Sequence, residues 1–283
     1  DPRGRNLNFV ELPIDRLVKL LDDERPTVVA QAIEEIAKQW KSDLILSQSF
    51  GLPGDRFPSE ATQINLIWAM SRQMGRTRTG IFSALLSGHR QGITDNVSIA
   101  TATALADSFG EANADQIGQL QLSHAFARAK SAALRRALAR LIGVAFEGRG
   151  QLDELVPQDE RTVHILLRRL ARDNELKDQE PTDRQTEHAI ILAAIRIADM
   201  NGTLKMLADP SPVVRRAALI TLDQMEGENL SRESVVALLD TDDEPLRTAA
   251  LDVISRQEGW ASGTLSLLSG WLHGGDLPLE RTS

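Results

Sequence analysis

The chain contains no cysteine and no tyrosine. With only 7 Phe and 4 Trp, aromatic residues make up 4% of its 283 positions. Without cysteine there is no disulfide framework, no thiol nucleophile, no cysteine ligand for an iron–sulfur cluster and no c-type haem attachment. A core short of aromatics must be filled by Ala, Leu, Ile and Val, which favours closely packed helices over a sheet sandwich. Basic residues are in the minority, with 32 Lys plus Arg against 40 Asp plus Glu and a formal net charge of −8. That balance argues against a general nucleic-acid binder, which presents a basic surface. Long apolar runs are missing too. The longest stretch free of Asp, Glu, Lys and Arg, 259–275, is rich in Gly and Ser and too short to span a bilayer comfortably. It reads as a buried helix, and the chain as soluble. The opening Asp1-Pro2-Arg3-Gly4-Arg5 has no apolar signal region and reads as the start of a mature protein or of a piece of a longer one.

What the chain does have is an internal repeat. Pro26-Thr27-Val28, Pro212-Val213-Val214 and Glu244-Pro245-Leu246 each end on an apolar anchor. Four residues later comes a small residue, Ala32, Ala218 or Ala250, and four further on a large one, Ile36, Leu222 or Ile254. A fainter copy runs through Val97, Thr101 and Leu105. This spacing places each triplet on one helical face, and the small middle residue lets a second helix approach closely. Each strong copy follows a second apolar helix that ends in an acidic turn: Leu17–Leu21 before Asp22-Asp23, Leu204–Leu207 before Asp209-Pro210, and Val235–Leu239 before Asp240. The Asp can cap the next helix, whose first turn tolerates Pro because that N–H would be unpaired anyway. A period of helix, acidic turn and helix builds an α-solenoid.

Asp209-Pro210-Ser211-Pro212-Val213-Val214-Arg215-Arg216-Ala217-Ala218-Leu219 resembles the signature of HEAT repeats, in which Asp-Pro starts the second helix and Val-Arg opens its face. Arg215 and Arg247 match the arginine usual in that family, whereas positions 29 and 98 carry Val and Ser. A longer-range resemblance involves Asp1–Arg5, Leu12–Leu17, Glu187–Ile191, Ile195–Asp199 and the 209–225 unit. These are similar to the HEAT segment of large secreted bacterial proteins of planctomycete type. In those proteins a glucose/sorbosone-dehydrogenase-like propeller precedes the segment and a Cys-x-x-Cys-His cytochrome domain follows it. The resemblance implies a spacer or scaffold between electron-transfer modules, outside the cytoplasm. It carries no redox activity to this segment, which has neither module.

Apolar periodicity predicts further helices over 61–74, 80–87, 95–109, 116–144, 160–172 and 184–200, with loops at 51–54 and 180–183. The expected fold is therefore all-α: a right-handed, armadillo-like α-solenoid of roughly seven HEAT-like helix pairs. Residues 1–13 form a lead-in and 14–283 a single solenoid, clearest at 14–40, 203–225 and 231–257.

Motifs that carry chemistry are scarce. His89, His124, His164, His188 and His273 are far apart, and none belongs to an H-E-x-x-H motif, so no metal site is expected. No G-x-S-x-G elbow is present. Gly75–Gly80 imitates half of a phosphate-binding loop, but Ile81-Phe82 stand where Lys and Ser or Thr are required. Asp240, Asp242, Asp243 and Glu244 lie in a turn and read as helix-capping residues. Trp68 reads as core, and Trp40, Trp260 and Trp271 as residues packing near helix ends. No catalytic residue and no cofactor are expected.

The charge map says more. Ten basic residues stand against five acids between 123 and 172, a local excess of +5 in a chain of −8 that leaves −13 for the rest. Arg128, Arg135, Arg136, Arg140, Arg168, Arg169 and Arg172 form the candidate patch, with partial stripes at i, i+4 and i, i+7. Two readings of it stand open: an inner-face patch for an acidic partner surface or a polyanion, or solvated helix faces paired with neighbouring acids. The function expected is a non-catalytic scaffold that binds a protein partner or neighbouring domains of its own parent chain, without a membrane span. The alternative is a HEAT-like nucleic-acid or DNA-repair glycosylase that uses the patch, which would need a basic groove through most repeats. Nothing in the residues favours a third HEAT-like class, the bilin lyases.

Overall fold

The computed structural model describes residues 6–39, 59–72, 82, 85–86, 93–108, 121–147, 162–175, 183–225 and 230–260. Among the described residues the chain is all-helical, with no strand. The loop expected at 51–54, the phosphate-loop mimic, Trp40, Trp271, His89, His273, Arg149 and Arg161 lie outside the described residues, as does nearly all of the helix expected at 259–275.

The described residues divide into two compact units. The first takes those up to Glu147 together with 183–193, and the second takes 162–175 and those from Ala194 onward. In the first unit, after a short 3-10 turn at Phe9–Glu11, come α1 (Ile14–Leu20), α2 (Pro26–Gln39), α3 (Glu60–Ser71), α4 (Asp95–Ser108), α5 (Leu122–Arg128) and α6 (Ala132–Ala145). The helix α2 packs on α3, α3 on α4 and α4 on α6, forming one row. The shorter α1 lies against α2 and α5 against α6. In the second unit α7 (Thr162–Glu175), α10 (Pro212–Gln224) and α12 (Glu244–Arg256) form another row. Beside it, α9 (Met200–Met206) packs on α7 and α10, and α11 (Arg232–Ala237) packs on α12. The remaining helix, α8 (Arg184–Ile197), has residues in both units.

The repeat triplets face inward as their spacing requires. Val28, Ala32, Ile36, Val214, Ala218, Leu246 and Ala250 are fully buried, and Leu222 and Ile254 nearly so. Each large member contributes roughly 1.5–3 kcal/mol by leaving water. The last of these helices closes a cluster of Leu219, Val235, Leu238, Leu239, Leu246 and Val253, against which Trp260 packs. Trp68, expected in the core, is only half-buried; Leu66, Ile67 and Met70 take that place on α3.

Covered on one side by α3 and on the other by α6, α4 buries Val97, Ala100, Thr101, Ala102, Ala104 and Leu105. Small residues nearly all round suit such a position. The Thr101 hydroxyl donates to the Val97 carbonyl at 2.7 Å, and Ser108 to that of Ala104 at 2.7 Å, so these hydroxyls are satisfied within their own helix.

Two predicted helices break where the sequence pattern runs on. The span 116–144 divides at Ala129–Ser131, where the Ser131 hydroxyl accepts from the Leu134 N–H at 3.3 Å and starts α6. The span 184–200 ends at Ile197. Ala198 takes a left-handed φ of 58°, and the buried Asp199 carboxylate then accepts the Gly202 N–H at 2.8 Å to start α9. A Cβ at Gly202 would collide with that carboxylate and lie 2.9 Å from Val163 Cγ1, so only glycine fits this turn. The acidic turns vary in what they do. Asp243 caps α12 by accepting the Leu246 N–H at 2.8 Å. Asp23 instead accepts the Arg25 N–H at 2.9 Å, and Asp209 the Ser211 N–H at 3.0 Å, ordering the turn rather than the helix end.

Candidate functional site

The seven candidate arginines fall in both units. Arg128, Arg135, Arg136 and Arg140 belong to the first and Arg168, Arg169 and Arg172 to the second. On α6, Arg135 is completely buried. Its Nη1 donates to the Lys130 carbonyl at 2.6 Å and to that of Ala129 at 3.4 Å, so it faces back into the turn that joins α5 to α6. Arg215 makes the same return to Asp209 O at 3.0 Å and Pro210 O at 3.2 Å, and Arg247 to Thr241 O at 2.5 Å. All three are the fourth residue of the second helix of a pair. The helix pair α5–α6 thus shares this return, and Leu134, Leu138 and Ile142 of α6 are buried at the spacing of the triplets. Arg135, a member of the expected patch, is therefore a turn clamp and not a surface cation.

The other arginines of α6 are committed to acids. Arg136 Nη1 meets Asp183 Oδ2 at 2.7 Å, and Arg140 Nη2 meets Asp107 Oδ1 at 2.7 Å. Hydrogen bonds from Thr186, through its hydroxyl and its N–H, hold the Asp183 carboxyl below its usual range against partial desolvation, and Arg136 adds to the effect. An exposed pair also ties Glu34 to Arg72 at 3.0 Å, and Arg256 meets the largely covered Asp223 at 2.7 Å. They link neighbouring long helices and are worth little individually. Arg128 is exposed at the end of α5.

On α7 the order of burial differs. Arg169 is buried, Arg172 is exposed, and Arg168 is about half exposed. Arg168 Nε donates to Asp209 Oδ2 at 3.1 Å, across 41 positions of sequence. Around this pair lies a cleft of about 370 Å³ lined by His164, Arg168, Lys205, Met206, Ala208, Asp209 and Pro210. One turn before Arg168 on the same helix, the buried His164 ring engages the Gly202 carbonyl through Nε2 at 3.1 Å. That carbonyl is an acceptor, so Nε2 carries the hydrogen. The Asp209 side chain is almost fully enclosed, since Oδ1 takes the Ser211 N–H and Oδ2 takes Arg168. Lys205 is exposed at the mouth. Sequence reasoning had not connected Lys205, His164 or Asp209 with Arg168, because the turn after α9 meets α7 only in three dimensions.

Among the described residues no group of three His, Asp or Glu side chains is placed to hold a metal ion. His124 and His188 are exposed. No described helix is long and apolar enough to cross a membrane. Comparison with protein-family profiles finds no match for the chain, and comparison with curated proteins finds none either.

Proposed function

We propose that the chain is a non-catalytic interaction scaffold: a right-handed solenoid of roughly seven HEAT-like helix pairs that offers an extended surface to a protein partner or to adjoining domains of a longer parent protein. The observation that carries this reading is the arginine that turns back from the second helix to the turn carbonyls at Arg135, Arg215 and Arg247. One device at three equivalent positions is what a stacked repeat expects, and the rows of long helices within each unit support it. A setting between a dehydrogenase-like propeller and a cytochrome domain, outside the cytoplasm, rests on the family resemblance alone.

Small-angle scattering tests the architecture. A stack gives a radius of gyration well above the roughly 19 Å of a compact chain of this length, and a value near 19 Å would overturn it. Fluorescence anisotropy tests the partner class, using a labelled acidic peptide and a labelled DNA duplex at about 50 and 200 mM salt. The scaffold reading expects no tight duplex binding. Duplex binding with a steep salt slope would replace it with the nucleic-acid reading. Two observations weigh against that outcome: Arg135 and Arg169 are buried, and Arg136 and Arg140 are paired with acids.

A further inference from the structure

The cleft between α7 and the turn after α9 is built around a partly employed guanidinium. Asp209 engages Arg168 through Nε, which leaves the terminal nitrogens of the fork without a partner among the described residues while fixing the plane in which they lie. Asp209 is itself held by the Ser211 N–H and enclosed by the protein, so the guanidinium is oriented before anything binds. Lys205 supplies a second cation at the rim. Met206, Ala208 and Pro210 form an apolar wall, and the floor includes His164, anchored to the Gly202 carbonyl.

We propose that this cleft binds a singly charged carboxylate with a short apolar tail. Arg168 and Lys205 receive the carboxylate, and the Met206–Pro210 wall receives the tail. The charge count selects the class. The Arg168–Asp209 pair is neutral, so Lys205 leaves a net charge of +1, enough for a monoanion. A phosphate dianion would exceed that charge and lie beside the Asp209 carboxylate. A fork of parallel N–H donors matches the two carboxylate oxygens geometrically. A volume of about 370 Å³ sits at the small end of ligand sites and suits a short organic acid or one acidic side chain of a peptide. This site stands on its own geometry and does not depend on the scaffold reading.

The test is a two-dimensional NMR titration of the full chain with butyrate, with inorganic phosphate and with a short Glu-containing peptide. Butyrate is expected to saturate shifts at Lys205, Met206 and Ala208 with a dissociation constant on the order of 1 mM. Lys205→Gln, at an exposed position, should weaken binding about tenfold while leaving the thermal midpoint in place. Arg168→Lys keeps the charge beside Asp209 but removes the fork, and should weaken it similarly. Tighter binding of the peptide would support the site with a partner side chain as its source, and tighter binding of butyrate a free acid. Absence of saturation by either, equal affinity in Lys205→Gln, or stronger binding of phosphate than of butyrate would overturn the proposal.

Discussion

The helices α6 and α7 carry nearly the same run of arginines, Arg135-Arg136-Arg140 and Arg168-Arg169-Arg172, and use them differently. On α6 the first arginine is buried and closes its own turn, while the next two bind acids on the surface. On α7 the second is buried and the first, held by Asp209 through Nε, opens onto a cleft. A shift of one residue turns a side chain by about 100° around a helix, enough to move it from interior to cleft. Residue type and spacing therefore say less about an arginine than the phase of its helix against its neighbours.

The largest expected effect tests that phase in the second unit. Ala218→Asp places an uncompensated carboxylate at a fully buried position of α10 and should cost on the order of 3 kcal/mol or more. An unchanged thermal midpoint would contradict the face assigned to that helix. Next come the turn clamps. Arg135→Gln strips the turn carbonyls of a buried charged donor and should cost about 2 kcal/mol in denaturant titration. The matching Arg215→Gln, only half-buried, should cost about 1 kcal/mol. Equal losses would show that burial does not distinguish the two clamps.

Smaller still is the surface pairing. Asp107→Asn removes the exposed partner of Arg140 and should change stability by about 0.5 kcal/mol or less, vanishing in high salt. A loss of several kcal/mol would mean that these pairs carry the row of helices. The last effect is acid dependence. Arg25 donates to Asp23 and lowers its pKa from 3.8 to about 2. Its contribution is present above 3.8 and is lost as the pH falls through about 2, because the unfolded chain binds that proton first. Asp23→Asn should flatten the acid limb of thermal stability over that window, and an identical limb would remove Asp23 from it.

Much of the helical pattern was legible along the chain. The triplets starting at Val28, Val214 and Leu246 are local, since a 3.6-residue period needs no knowledge of the partner helix. The buried triplet Leu134, Leu138 and Ile142 escaped because its middle residue is large and no proline marks the start of α6. The break at Ala198 escaped because alanine is a strong helix former; it is imposed by Asp199, whose carboxylate captures the Gly202 N–H. Trp68 was misplaced because apolar neighbours reveal a helix but not how deep each of its faces lies.

From composition and periodicity alone came a helical chain with a core of small aliphatic residues, the repeat anchors and the turn acids. These follow from backbone geometry and local capping, which act over a few residues. Which arginine is buried, which is paired and which faces a cleft came only with the packed structure. Arg168 meets Asp209 across 41 positions, and a meeting of that range depends on how whole helices are rotated and stacked. Helix rotation is set by the summed burial of many side chains, so no motif within either partner records it.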